Sequence, residues 1–380
     1  MGEGGASGTI VDLFCGCGGF SLGAELAGFR SIAAVDVDPV LQSGFRRNFP
    51  RTRALQADIS DITASDWQLV LDGERPDGVI GGPPCQGFSW IGKRKRDDPR
   101  NTLIAHFFRQ VTILKPRFFV MENVEGILHH ATAGLFDAAL ELIPSHYAVL
   151  RPLVVNASEF GAATKRKRMV LLGVDTNEMQ TIAEWEVGPA PGISKINVRE
   201  AISDLPSPVL AGNLKGDLGW ARYPTIGEPL SRYAQVARSG APPGLGSIDA
   251  RSVRRAGFVS GLHATKHSPE ISRRYSEIGG GRSDPITKSY KLEWEGQCPT
   301  LRAGTGSDRG AFQAVRPLHP SEGRVICVRE AARLQGFPDW FEFHATKWHS
   351  FRMIGNSVSP IVSKGIMELL GKKMHLQLAA

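Results

Sequence analysis

The feature that most constrains this chain is an alternation of apolar strand-like runs and amphipathic helices through its first half. Thr9–Phe14 (TIVDLF) is β-branched and apolar, and it runs directly into a glycine-rich turn at 15–19. Phe20–Ala27 has helical spacing and stops at Gly28, the residue type that most often ends helices. Ser31–Val37 (SIAAVDV) reads as a second strand. Asp38-Pro39 then supplies a cap and a first-turn proline for a helix through Asn48. Asp77–Ile80, Arg117–Met121, Tyr147–Val155 and Met169–Val174 read as further strands. Leu103, Phe107, Phe108, Val111 and Leu114 recur at helical spacing, and Lys115-Pro116 ends that helix. Such alternation implies an α/β fold, with an open, mostly parallel sheet covered on both faces.

From about residue 185 to 320 the pattern gives way to prolines, glycines and short polar stretches, the mark of a second, irregular unit. Periodicity returns at Val328–Gln335 and after Ser359, so the C-terminus is expected to complete the α/β unit. The expected organisation is a catalytic and cofactor-binding domain at 1–180, a second domain at 181–322, and a return segment at 323–380. With 42% hydrophobic and 22% charged residues, the 380-residue chain is neither disordered nor fibrous. No apolar run approaches the roughly 20 residues of a membrane helix, and the opening Met1–Gly8 has no signal-peptide character, so a cytoplasmic protein is expected. The five cysteines are scattered, without a CxxC pair, which supports neither zinc nor a disulfide framework. A net charge of +7 permits a polyanionic partner.

Four segments carry possible chemistry. The turn after the first strand is where open α/β sheets bind cofactors, because glycines let the backbone approach the ligand. Asp36, ending the second strand, suits two ribose hydroxyls, and Asp58 an adenine amino group; a dinucleotide is the rival ligand, and a plain tight turn with two solvated carboxylates the simplest alternative. Gly81–Ser89 (GGPPCQGFS) fixes Cys85 on a rigid turn at the sheet's C-terminal edge, as a nucleophile or as a small buried residue. Lys93–Arg100 (KRKRDDPR), too polar for a core, is either solvated surface or a loop that closes on a phosphate backbone. Glu122 ends the next strand and, in a parallel sheet, falls on the same edge as Cys85; it reads as an acid for a ring nitrogen or as part of a helix start. Arg166 and Arg168 alternate at a strand start, pointing one way, as substrate ligands or as solvated charge.

Taken together and in order, these segments resemble the cytosine-5 DNA methyltransferase family. The resemblance spans roughly 8–175 and 296–365 and rests on DLFCGCGGFSLG, VDVDP, ADI, GGPPCQGFS with GKRKRDDPRN, ENV, the Arg166–Arg168 pair, REAARLQGFPD at 329–339 and IGNSV at 354–358. It implies a Rossmann-like S-adenosylmethionine-dependent sheet of about seven strands with a smaller irregular target-recognition domain. It further implies cofactor contacts from Phe14, Gly16, Cys17, Gly18, Gly19, Asp36, Val37, Asp58, Ile59, Pro83, Leu103, Asn356 and Val358. Cys85 would be the nucleophile, and Glu122, Arg166 and Arg168 would hold the cytosine. Gln86, Ser89, Lys93, Arg94, Lys95 and Arg96 would meet DNA. The family usually has Pro-Gln where this chain has Ala163-Thr164, Asp-Tyr-Gly where it has Glu159-Phe160-Gly161, and Glu more often than Asp36.

The implied reaction is methylation of carbon 5 of cytosine in a specific double-stranded DNA sequence, through a covalent Cys85 adduct on a flipped-out base. A catalytically dead DNA-binding relative, a nicotinamide-dependent oxidoreductase and an RNA methyltransferase are the competing readings; the Cys-Phe-Thr signature typical of the transfer-RNA enzymes is missing from the variable region. The resemblance also implies a bacterial monomer associated with the nucleoid through DNA. The enzyme would either be solitary or be paired with a cognate restriction endonuclease acting on the same site without forming a stable complex.

Overall fold

The computed structural model describes residues 8–84, 103–128, 136–210, 216–225, 227–304 and 316–378. The chain opens with β1 (Gly8–Leu13), α1 (Gly19–Leu26), β2 (Phe29–Asp36), α2 (Pro39–Asn48), β3 (Arg53–Gln56), α3 (Ala64–Val70), β4 (Gly78–Gly81), α4 (Leu103–Leu114) and β5 (Phe118–Asn123). β6 (Tyr147–Val149), β7 (Leu153–Asn156), β8 (Thr164–Lys165) and β9 (Lys167–Asp175) follow. The main sheet runs β3-β2-β1-β4-β5-β9-β6, with β7 also on β9. Its first five strands are parallel. β6 and β7 pair antiparallel with β9, which is itself antiparallel to β5.

The sheet has the expected path of about seven strands, with β7 as an eighth beside β9. One departure from the sequence reading lies in that antiparallel half. Tyr147–Val155 is not one strand but two. Pro152, which has no N–H to donate to a ladder, falls in the break between β6 and β7.

Strand composition follows from burial on both faces. In β5 every residue from Phe118 to Asn123 is buried. Alternate side chains leave on opposite sides. Val11, Phe119 and Met121 join Phe107, Phe108 and Trp67 in the layer under α3 and α4. Ile10, Phe118 and Val120 instead meet Phe20, Ile366 and Leu370 in the opposite layer.

The middle of the chain holds short elements: α5 (Val198–Ile202), α6 (Arg232–Arg238), and the two-residue strand pairs β10–β11 (221–222 with 258–259) and β12–β8 (298–299 with 164–165). After it come α7 (Val328–Gln335), α8 (Lys347–Asn356) and α9 (Pro360–Leu378). α9 lies on α1 so closely that a Cβ on Gly23 would stand 2.3 Å from the Ser363 Cβ, and Ser363 Oγ donates to the Phe20 carbonyl at 2.7 Å.

α7 is tied to the middle region by buried charge. Arg333, fully buried, donates to both oxygens of Asp339 at 2.6 Å and to Asp204 at 3.0 and 3.1 Å. Arg238 of α6 pairs with the same Asp204 at 2.7 Å and stacks on Tyr223, whose hydroxyl donates to Asp339. A network satisfied on every side is what lets guanidinium groups be buried.

Candidate active site

A cavity of about 500 Å³ opens at the C-terminal edge of the parallel strands, within the size range of small-molecule sites. Its floor is the turn from β1 to α1. Gly16 (φ 55°) and Gly18 (φ 96°) take left-handed conformations that a side chain disfavours. Gly18 does not line the cavity; a Cβ there would strike the Phe49 ring at 2.3 Å, so its role is to let the turn pack on α2. Gly19 does line it, and its bare Cα allows the Val358 carbonyl to approach where a Cβ would stand 2.5 Å away. The α8–α9 junction thereby closes over the turn.

The Asp36 carboxylate ends β2 and is fixed on both oxygens. Oδ2 accepts from the Gly16 N–H and Oδ1 from the Asp38 N–H, both at 2.8 Å. Burial raises its pKa against these two bonds. Val37, 63% exposed, offers a flat apolar surface to the cavity. Asp58 and Ile59 face it from the loop after β3. That loop is held by α4: Arg109 donates to the Ile59 and Ser60 carbonyls at 3.0 and 2.7 Å, and Gln110 to Ile59 at 3.1 Å. The Ser60 N–H, bonded to the Asp58 carboxylate, lowers the pKa of Asp58. Leu103, Asn356 and Val358 complete this wall.

At the other end the parallel register sets Gly81 beside Met121, so Gly82 comes next to Glu122. A Cβ on Gly82 would lie 3.4 Å from Glu122 Oε2. Asn123 Nδ2 donates to the Pro83 carbonyl at 3.2 Å and braces the turn. Glu122 is 8% exposed and pairs with Arg168 Nε at 3.0 Å. Arg166 is buried and also lines the cavity; its terminal nitrogens donate to the carbonyls of Leu301 at 3.3 Å and Ser357 at 2.9 Å, and its Nε has no partner among the described residues. Pro83 and Pro84 line the cavity; Cys85, Gln86, Ser89 and the Lys93–Arg96 run lie outside the described residues.

Three charged cavity residues escaped the sequence reading as site residues. Asp12 is buried in β1 with Oδ2 accepting from Ser21 Oγ at 2.6 Å; Oδ1 has no partner. Burial pushes its pKa up to about 7. A lone acid inside an apolar strand was the available signal. Asp38, read only as a helix cap, pairs with Arg352 Nη1 at 2.8 Å. Arg352 sits four residues before Asn356, one turn along the same helix face, which the IGNSV motif left out.

An apolar plate at Val37, a main-chain-fixed carboxylate for a diol and an unpartnered buried acid for a cation together fit a nucleoside carrying a cationic tail. The sheet and site thus define an α/β enzyme that binds a nucleoside cofactor at the edge of its parallel strands. The C-5 cytosine-specific DNA methylase family model matches residues 8–372. Type II methyltransferase M.XorII of Xanthomonas oryzae pv. oryzae is 40% identical over 372 residues, 96% of this chain and 85% of that protein. M.DdeI of Desulfomicrobium norvegicum is 30% identical over 95% of this chain and 88% of its own. A crystal structure of a putative DNA modification methyltransferase encoded within an E. coli prophage superposes with a TM-score of 0.86 at 38% identity, covering 97% of this chain and 99% of that one. The Dnmt2 methyltransferase of S. pombe, 15% identical over 98% of this chain and 99% of its own, shares the fold at a TM-score of 0.58.

The chain belongs to the C-5 cytosine-specific DNA methylase family. It is a DNA (cytosine-5-)-methyltransferase with S-adenosylmethionine as methyl donor. Among the described residues no helix is long and apolar enough to cross a membrane.

Proposed function

We propose that the two ends of this one cavity divide the reaction, the β1–β3 end holding the cofactor and the β4–β5 end holding the cytosine. The observation that carries this is the Glu122–Arg168 pair at 3.0 Å, on the cavity wall beside Gly82-Pro83-Pro84. When bound, S-adenosylmethionine supplies the methyl group on an electrophilic sulfonium. Asp36 holds the ribose hydroxyls, Val37 and Ile59 flank the adenine, and Asp58 takes its amino group. Phe14, Gly16, Cys17, Gly18, Gly19, Pro83, Leu103, Asn356 and Val358 form the rest of the binding surface, Gly18 through the turn it shapes. Asp12 offers its free oxygen to the ammonium.

Cys85 follows Pro84 directly in the chain, and its thiolate adds to carbon 6 of the cytosine, feeding electrons to carbon 5. Glu122 donates to ring nitrogen 3, and Arg168 binds the ring oxygen, so the charge that develops on addition is met by fixed groups. Both of Arg166's terminal nitrogens are engaged by the Leu301 and Ser357 carbonyls, so it supports the pocket rather than the base. Once carbon 5 has taken the methyl group, loss of the carbon-5 proton expels the Cys85 thiolate. The base must leave the helical stack for this, at a cost of a few kcal/mol.

Residues 181–322 are the target-recognition domain between catalytic segments 1–180 and 323–380. Gln86, Ser89 and Lys93–Arg96 contact the DNA around the extruded nucleotide. The enzyme acts as a monomer on double-stranded DNA in the cytoplasm, at the nucleoid. The type II relatives support a cognate endonuclease that reads the same site without a stable complex. The test is Cys85→Ala, assayed for transfer of label from tritiated S-adenosylmethionine to DNA and for DNA binding. Transfer is expected to vanish with binding retained; full turnover by Cys85→Ala would refute the covalent route.

A further inference from the structure

Arg352 and its partner Asp38 are the charged groups of the cavity that the reaction above leaves without a task, and their contacts form a chain across the pocket. The Asp36 carboxylate is aimed by two main-chain N–H groups, one of them from Asp38 at 2.8 Å. The orientation of the Asp36 carboxylate therefore depends on where the backbone of residue 38 stands. That backbone is held by its own side chain: Asp38 Oδ1 caps α2 by accepting from Val40 at 2.9 Å and Leu41 at 3.1 Å, while Oδ2 takes Arg352 Nη1 at 2.8 Å. One carboxylate thus secures the start of α2 with one oxygen and α8 with the other. The guanidinium is steadied by the Trp348 ring, 5.3 Å from its Cζ. Asp36 and Asp38 are two like charges facing one cavity, and Arg352 is the cation set against both.

We propose that Arg352 is a positioning residue for recognition of the cofactor's ribose: through Asp38 it fixes Asp36 in the orientation that accepts the diol. The inference rests on the reading of Asp36 as the ribose ligand and adds what sets it. Arg352 reaches the β2–α2 turn from a helix more than three hundred residues later in the chain. The last segment therefore decides how tightly the first one holds a ribose. Removing the guanidinium frees the Asp38 side chain to serve α2 alone and leaves the two carboxylates to repel each other. The diol then meets an acceptor no longer aimed at it.

The test is calorimetric binding of S-adenosylhomocysteine and its 3′-deoxy analogue to the wild-type enzyme, Arg352→Met and Arg352→Lys, with thermal melting of each. The wild type is expected to prefer the complete ribose by about tenfold or more, the factor that corresponds to one hydrogen bond to a charged group. Arg352→Met is expected to remain folded and to melt cooperatively, because the thioether side chain keeps an apolar stem at a site 21% exposed. Its preference for the complete ribose should shrink toward unity, and Arg352→Lys should recover part of it. Arg352→Met retaining the wild-type preference would overturn the inference while leaving the Asp36 assignment intact. A wild-type enzyme that binds both ligands equally would instead overturn the Asp36 assignment, and the inference with it. Equal affinity losses for both ligands in Arg352→Met would show a general packing role and also overturn it.

Discussion

Asp12 makes this enzyme's stability depend on pH in a direction opposite to that of an ordinary paired carboxylate. Its pKa in the fold is about 7, against 3.8 for an unperturbed aspartate, because burial penalises the charged form more than the Ser21 bond favours it. In the unfolded chain the group ionises near 3.8, whereas in the fold it keeps its proton until about pH 7. The native state therefore binds more protons across that window, and stability falls as pH rises through it. Each tenfold in proton affinity is worth about 1.4 kcal/mol, so the full effect is about 4 kcal/mol between pH 4 and pH 8. Asp12→Asn keeps an oxygen for the Ser21 hydroxyl and cannot ionise. Urea unfolding followed across pH 5 to 8 is expected to show the wild type losing stability relative to Asp12→Asn, most of it before pH 7. Parallel pH profiles would refute the argument that Asp12 is desolvated. A cationic ligand beside Oδ1 favours the ionised form, so S-adenosylhomocysteine should bind with proton release near pH 6.5, detected by calorimetry in buffers of different ionisation enthalpy. Asp12→Asn should be more stable at pH 8 and weaker for that ligand.

Three further outcomes follow from the geometry. Glu122→Gln should lower the methyl-transfer rate by about 10²–10⁴-fold in single-turnover assays while melting as a folded protein, and wild-type kinetics would remove its acid role. Gly23→Ala should destabilise the fold by about 1–3 kcal/mol in urea titrations, because the new methyl would meet Ser363 and the Pro360 carbonyl at 2.3 and 2.5 Å and force α1 from α9; an unchanged midpoint would contradict that packing. Replacing Lys93, Arg94, Lys95 and Arg96 by uncharged residues should weaken DNA binding and flatten its dependence on salt, whereas an unchanged slope would mean the run never meets phosphate.

The parallel half of the fold was legible because it is written locally. β-branched runs, a left-handed glycine turn and the Asp38-Pro39 helix start each act within a few residues. The edge shared by the β4 turn and Glu122 followed from strand direction alone. What escaped depends on distant partners. Arg166 and Arg168 look equivalent in the sequence; carbonyls 135 and 191 positions away single out Arg166, and Glu122 singles out Arg168. Arg352 showed no pattern of its own until α8 was set against α2. The antiparallel strands β6 and β7 merged in the reading because apolar residues continue on both sides of Pro152, which breaks the ladder between them.

One end of the cavity is assembled from residues 12–59, Leu103 and residues 352–358, with the α8–α9 junction lying over the turn that follows β1. During synthesis the glycine turn emerges from the ribosome first and must wait for nearly the entire remaining polypeptide before its cover exists. A nascent or C-terminally clipped chain would carry the nucleophile motif yet lack a closed seat for the methyl donor.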